Sequence, residues 1–148
     1  MNELNGYDIE DLEPGMSASF AKTITEADIV MFAGVSGDNN AIHINEEFAA
    51  STPFGGRIAH GFLTASTISA AIANRMPGPG TVYVSQQMRF VGPVRPGDTV
   101  TAEVTVKEVQ RDRARVVLTT ICRVGSKVVV EGEATVKTTS KARRSAAA

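Results

Sequence analysis

The sequence is poor in several features that would point to particular classes of protein. Cys122 is the only cysteine among 148 residues, which excludes an intrachain disulfide and a cysteine-based metal site and fits a reducing, cytoplasmic setting. The net charge of −1 argues against a nucleic-acid-binding protein, because neutralising phosphates requires a basic surface. No run approaches the roughly 20 apolar residues of a membrane span, and the first residues lack a signal-peptide pattern. We therefore expect neither a nucleic-acid partner nor a membrane partner.

The overall composition is that of a globular domain. Hydrophobic residues make up 43% of the chain and charged residues 21%, and a chain of this length can bury a core of its own. We expect a single domain at residues 1–139. Residues 140–148, with the sequence SKARRSAAA, are polar and then alanine-rich, and this composition predicts a disordered tail.

The first half of the chain has the spacing of helices separated by turns. Thr25 with Asp28 three residues later resembles a capping box, which predicts a helix over about residues 26–34. Residues 36–44 are dense in turn formers and indicate a loop, and a short helix is predicted at 46–51. In the first of these helices the residues expected to face inward are Ile29, Val30, Phe32 and Ala33.

The longest helical candidate is His60–Met76. Its residues are apolar or small throughout, so we expect the whole helix to be buried, and the prolines and glycines of residues 77–80 end it. After it the pattern changes to the period-two alternation of strands, over about 81–91, 99–109, 115–124 and 127–137. A long apolar helix must be covered by a sheet, and the sequence therefore predicts an α+β fold.

Asp38 and His43 are the candidate acid–base pair. The only two histidines, His43 and His60, lie beside the glycine-rich middle of the chain. On a loop that follows Gly37, a carboxylate and an imidazole five residues apart can converge on one water and move protons. The spacing alone leaves open that Asp38 only forms an Asx turn and that His43 is a surface residue. A metal site formed by these residues with His60 lacks the spacing of known zinc motifs, so no metal is expected.

Gly61, at the predicted start of the long helix, is a second candidate. A helix start presents free backbone N–H groups and the positive end of the dipole, and a glycine lets a ligand approach closely. The same glycine could instead serve only a tight entry into the helix. Arg57, Arg89 and Arg95 could contact a phosphate, although lone arginines are usually solvated.

Two blocks of sequence together resemble one known family. They are FAGVSGDNNAIH at residues 32–43 and GRIAHGFLTAS at residues 56–66. Over about residues 7–138 the chain is similar to the MaoC-like (R)-specific enoyl-CoA hydratases, or hydratase 2, and especially to the single-domain hydratases of polyhydroxyalkanoate synthesis. The resemblance implies a hot-dog fold, in which a curved antiparallel sheet wraps one long central helix. It also implies a homodimer or a dimer of dimers, with an acyl-CoA thioester bound near the subunit interface.

The resemblance also assigns roles to individual residues. It implies reversible hydration of a trans-2-enoyl-CoA to an (R)-3-hydroxyacyl-CoA without a cofactor, coenzyme A being part of the substrate. Ala41 stands where most relatives have proline, so we expect a less rigid loop rather than a different reaction. The implied catalytic groups are Asp38, His43 and the Gly61 N–H; the implied loop-ordering and substrate-binding residues are Asn40, Ser69, Ile72, Phe62 and Met88.

Three other functions remain compatible with the sequence. The same chemistry on a carrier protein would make the chain a 3-hydroxyacyl-ACP dehydratase. A hot-dog thioesterase typically places a carboxylate on the long helix, but residues 60–76 contain neither aspartate nor glutamate. A non-catalytic acyl-thioester binding module would need the fold and the pocket without the acid–base pair, and the presence of both Asp38 and His43 argues against it.

Overall fold

A computed structural model of the protein describes residues 1–147. Its centre is an antiparallel sheet of five strands, namely β1 (Ser17–Thr23), β2 (Val82–Phe90), β3 (Thr99–Gln110), β4 (Arg115–Val124) and β5 (Lys127–Lys137). Their order in the sheet is β1-β3-β4-β5-β2. The third, fourth and fifth strands form a meander, whereas the second crosses over to pair with the fifth, so the first and second strands lie at the two edges.

The alternating patterns predicted the strands of the meander well. Strands β4 and β5 have the predicted bounds, and β3 is one residue longer than predicted. One face of β3 is buried as its alternation requires, because successive side chains of a strand point to opposite sides of the sheet. The buried residues of this face are Val100, Ala102, Val104 and Val106.

Five helices accompany the sheet. In the first of them, the predicted capping box of Thr25 and Asp28 is present, and Gly37 ends the helix with a φ of 80° that favours glycine. Val30 was wrongly predicted to face inward and is 62% exposed, whereas Ile29 and Ala33 are buried. The helices are α1 (Glu26–Ser36), α2 (Ala41–Ile44), α3 (Glu46–Ala50), α4 (Gly61–Asn74) and α5 (Lys141–Ala147).

Helix α4 is the central helix of the fold and packs against β1, β3 and β4. The prediction that it is buried all round is wrong, because only one face meets the sheet. Leu63, Ile68 and Ile72 of that face belong to the hydrophobic core, whereas Phe62 on the opposite side is 64% exposed. The arrangement confirms the predicted α+β hot-dog fold, with a sheet around one long helix. Within residues 1–147, none of the helices has the length and hydrophobicity needed to cross a bilayer.

Within the segment predicted to be a disordered tail, the structure describes residues 141–147 as helix α5, while Ala148 lies outside the described residues. Helix α5 is attached to the N-terminal segment by ionic contacts. Arg144 binds both carboxylate oxygens of the buried Asp8, at 2.6 and 2.9 Å, and Lys141 binds Asp11. Composition alone did not predict this attachment, because the partners of Lys141 and Arg144 lie 130 and 136 residues away in the sequence.

Candidate active site

The loop between α1 and α3 is shaped by two short-range hydrogen bonds. Asp38 Oδ1 accepts the Asn40 N–H at 3.1 Å, which is the Asx turn that the sequence left open. Asn40 Oδ1 then accepts the Ile42 N–H at 3.2 Å and caps helix α2, which carries His43 inward. Ala41 is the first residue of α2, a position that suits proline or alanine, so its replacement of the family's proline fits the local structure.

Asp38 and His43 face one another across a gap. Asp38 Oδ2 lies 3.9 Å from His43 Nε2, and 50% of the Asp38 side chain is exposed against 10% of the His43 side chain. His43 Nδ1 lies 2.8 Å from the carbonyl oxygen of Ile58, which can only accept, so Nδ1 carries the proton of the neutral ring. His43 Nε2 is then an acceptor that faces a carboxylate. Two acceptors at this separation can each take one hydrogen of a single water molecule.

Gly61 occupies the first position of α4, directly after His60 as the N-cap. Its N–H is one of the first-turn donors that have no acceptor within a helix, at the positive end of the helix dipole. A Cβ atom at this position would lie only 2.8 Å from the ring of Phe90. A glycine at this position therefore has a steric reason as well as an electrostatic one.

A cavity of about 530 Å³ adjoins His43 and Gly61. Apart from His43 and Thr64 its lining is apolar or formed by glycine and proline, and Asp38 lies outside it. A largely apolar cavity with one ionisable group and one helix-terminal N–H suits a ligand with an acyl chain and one polar carbonyl. The other lining residues are Phe54, Ile58, Ala59, Phe62, Phe90, Val91, Gly92, Pro93, Val94 and Val130.

The remaining residues predicted to bind substrate do not all reach this cavity. Phe62 lines it and also a second cavity of about 270 Å³, which is lined by Ser69 and Met88 as well. Ile72 is buried in the hydrophobic core and lines neither of these two cavities, so its place in an acyl pocket stays a prediction. Its side chain points to the sheet-facing side of α4, a choice that the uniformly apolar sequence of the helix could not predict.

The arginines proposed as phosphate ligands are partly engaged within the chain. Arg57 binds Glu26 through two hydrogen bonds of 2.7 and 2.6 Å and Glu46 through one of 2.8 Å, which makes it a bridge between α1 and α3. Arg95 donates to the Phe54 carbonyl. Arg89 is 80% exposed and lies 3.9 Å from Glu131. Of the three, Arg89 is the one most open to a ligand.

Sequence reasoning considered His60 only as a possible metal ligand, but the structure gives it other contacts. Its Nε2 lies 2.9 Å from the backbone oxygen of Asp38, and its ring centroid lies 3.9 Å from that of His43. One atom from each of Asp38, His43 and His60 lies within 4.8 Å of the others, but each histidine already bonds a carbonyl oxygen through one nitrogen. That no metal is needed stays a prediction. In the sequence, only the position of His60 directly before Gly61 indicated that it could lie at the site.

A known protein family matches most of the chain. Residues 11–128 match the family described as MaoC like domain. The chain belongs to this family. The match includes the loop with Asp38 and His43, all of helix α4, and strands β1 to β4.

Similar proteins carry consistent names. The (R)-specific enoyl-CoA hydratase of Rhodospirillum rubrum is 54% identical over 127 residues, which cover 86% of this chain and 88% of the relative. The 3-hydroxybutyryl-CoA dehydratase of Methylorubrum extorquens is 50% identical over 139 residues, covering 94% and 88%. The structure of the (R)-hydratase from A. caviae involved in PHA biosynthesis superimposes with a TM-score of 0.84 at 39% identity, covering 87% of this chain and 98% of that one.

Proposed function

We propose that this MaoC-like protein adds water reversibly to a trans-2-enoyl-CoA and forms an (R)-3-hydroxyacyl-CoA. The observation that carries the proposal is the pair of acceptors, Asp38 Oδ2 and His43 Nε2, held 3.9 Å apart at the edge of a cavity that Gly61 also lines. The two curated relatives are named for this reaction or its reverse. The R configuration rests on the names of the relatives.

The proposed mechanism needs one water held between Asp38 and His43. As its oxygen attacks C3, the pair accepts one proton, and the electrons of the C2–C3 double bond move toward the thioester carbonyl. The Gly61 N–H stabilises the negative charge that develops on the carbonyl oxygen, an effect worth on the order of 10²–10³ in rate for one donor. The pair then returns a proton to C2, so that one water is added and nothing is oxidised or reduced.

This chemistry requires no metal and no redox cofactor, because the thioester itself makes C3 electrophilic. The protein supplies the positions of the water, the proton acceptors and the oxyanion donor. Full activity after dialysis against a chelator is therefore the expected result. A loss of activity that added metal restores would contradict the metal-free mechanism.

We also propose a homodimer, or a dimer of two such dimers, as the working assembly. Strand β2 is an edge strand with exposed apolar side chains at Val82, Val84 and Phe90. The ring of the exposed Phe62 in α4 lies next to it, with its centroid 5.8 Å from that of Phe90. Edge strands and apolar patches of this kind are commonly covered by a partner. Light scattering coupled to size-exclusion chromatography should give twice or four times the mass of the chain, whereas a monomer would contradict this.

The decisive experiment is hydration of crotonyl-CoA and longer enoyl-CoAs, with the configuration of the 3-hydroxy product determined by chiral chromatography. We expect loss of the enoyl absorbance and an R product. The same acyl chain on a carrier protein tests the dehydratase of fatty-acid synthesis, and release of free thiol tests a thioesterase. Binding of enoyl-CoA without turnover would show a non-catalytic module and contradict the proposal.

A further inference from the structure

We infer that His60 is a positioning residue that holds Asp38 and His43 in their mutual arrangement. This inference rests on the proposed function. His60 donates a hydrogen bond to the backbone of one member of the pair and packs its ring against the other. It also occupies the N-cap position of α4, directly before Gly61.

The hydrogen bond of His60 determines how its ring is protonated. The backbone oxygen of Asp38 can only accept, so the Nε2 atom 2.9 Å away must be the donor. In the neutral ring the other nitrogen, Nδ1, then carries no proton, and it is buried without a hydrogen-bond partner among residues 1–147. His60 therefore has the Nε2–H tautomer, whereas His43, which donates from Nδ1 to Ile58, has the opposite one.

The ring of His60 also limits where His43 can lie. The two imidazole centroids are 3.9 Å apart at an interplanar angle of 31°, and Phe32 contacts His60 at 4.9 Å from centroid to centroid. His60 is 1% exposed, so its ring cannot move away into solvent. Rotation of His43 about its side-chain bonds is restricted by the stacked ring and by the hydrogen bond to Ile58.

Residues 58–60 thus hold both members of the pair by different contacts. At one end of this segment the Ile58 carbonyl accepts a hydrogen bond from His43 and orients its ring. At the other end His60 donates a hydrogen bond to the backbone oxygen of Asp38. Because a displacement of about 1 Å in a reacting group can cost on the order of 10²-fold in rate, loss of either contact should reduce turnover more than binding.

Two substitutions separate the contacts of His60. His60→Gln keeps a donor near the position of Nε2 but removes the stacked ring, whereas His60→Phe keeps a ring but removes the donor. We expect His60→Phe to lower kcat by roughly 10–100-fold relative to the parent while KM changes by less than about 2-fold. We expect the kcat of His60→Gln to lie between those of His60→Phe and the parent. A kcat within about 2-fold of the parent in the His60→Phe protein, or a loss confined to KM, would overturn the inference.

A double-mutant cycle asks whether His60 acts through Asp38. In an Asp38→Asn background, His60→Phe should reduce the residual kcat by less than about 3-fold, because one of the two groups it positions is already disabled and the pair no longer acts together. An equal loss in both backgrounds would show an effect independent of Asp38. Thermal unfolding of each variant identifies any change that merely destabilises the fold.

A spectroscopic measurement keeps the inference testable even if the variants fail to fold or the enzyme acts on another substrate. The chain has only two histidines, so the ring nitrogens of ¹⁵N-labelled parent protein give two sets of NMR signals. We expect the His43 ring as the Nδ1–H tautomer and the His60 ring as the Nε2–H tautomer, with each ring assigned in the parent protein by correlation to its own backbone signals. An Nδ1–H tautomer at His60 would overturn the inference. Failure of the parent to hydrate enoyl-CoA would overturn the proposed function instead.

Discussion

Two regions of the molecule contain clusters of polar side chains, and the two regions differ in how far these side chains are hydrogen-bonded within the protein. The terminal clasp consists of Asp8, Asp11, Lys141 and Arg144, which join the N-terminal segment to α5. Asp8 is fully buried, yet its oxygens accept hydrogen bonds from Arg144 and Thr139 at 2.6 to 2.9 Å. At the candidate active site, Asp38 and His43 stop 3.9 Å apart, and the buried His60 keeps one nitrogen without a partner in residues 1–147.

The difference shows what each region contributes. In the terminal clasp the hydrogen-bonding capacity of the buried carboxylate is used within the protein, which stabilises the closed arrangement of the two chain ends. At the candidate active site, Asp38 Oδ2 and His43 Nε2 can still accept hydrogen bonds, and a water or a substrate can donate them. We therefore expect substitutions at the site to reduce activity and substitutions in the terminal clasp to reduce stability.

The largest effect is expected from removing either member of the acid–base pair. Asp38→Asn and His43→Gln should each lower kcat on the order of 10²–10⁴-fold, because the water loses one of its two acceptors. Steady-state hydration of crotonyl-CoA measures this, with the melting temperature as the check on folding. Asp112→Asn, at an exposed hairpin tip, is a matched carboxylate-to-amide control that should keep parent activity. Parent-level turnover in either site variant would refute the assignment.

A smaller loss of activity is expected from Gly61→Ala. The added methyl group would meet Phe90 at 2.8 Å and push the half-exposed ring into the cavity that should hold the acyl thioester. We expect kcat/KM to fall by roughly 10-fold or more if the oxyanion donor is also displaced. In the double variant Gly61→Ala, Phe90→Leu, part of the activity should return, and Phe90→Leu alone is the control. A loss that does not depend on Phe90 would show that this steric account is wrong.

The smallest effect on activity is expected from Asp8→Asn in the terminal clasp. It should lower the free energy of unfolding by about 1–3 kcal/mol, because the buried carboxylate loses its charge-assisted hydrogen bonds from the partly exposed Arg144, and leave kcat unchanged. Chemical denaturation measures the stability, and Arg144→Met should act in the same direction and non-additively with Asp8→Asn. Arg113→Met at the exposed hairpin is the control. A fall in kcat without a fall in stability would remove the distinction between the two regions.

The stabilising effect of Asp8 should also depend on pH. The hydrogen bond from Arg144 lowers the pKa of Asp8 below its ordinary value, against the opposing effect of burial. A lowered pKa in the folded state means that the contribution is fully present above the unfolded pKa of about 4 and is lost as the pH falls through the folded pKa. The stability difference between the parent and Asp8→Asn should therefore shrink below about pH 4, and a constant difference down to pH 2 would contradict this.

The sequence predicted local structure better than it predicted which surfaces are covered. Strands β2 and β3 both alternate, and both form, but the apolar face of β3 is buried whereas Val82 and Val84 of β2 remain exposed. Alternation reports which side chains share a face and does not report what lies against that face. The same limit explains why α4 was expected to be buried all round although Phe62 is exposed.

By itself, the sequence determined the α+β class, the capping of α1, the meander of β3 to β5, and the turn at Asp38. These features depend on neighbours within a few residues or on a regular period, so they are visible along the chain. The loop predicted at residues 36–44 is wrong for residues 41–44, which form helix α2 with His43. Only the tertiary structure decided that Arg144 binds Asp8, that Ile72 faces the core, and that His60 contacts both Asp38 and His43. Those contacts join residues distant in sequence or select one face of a uniformly apolar helix, and packing alone makes that selection.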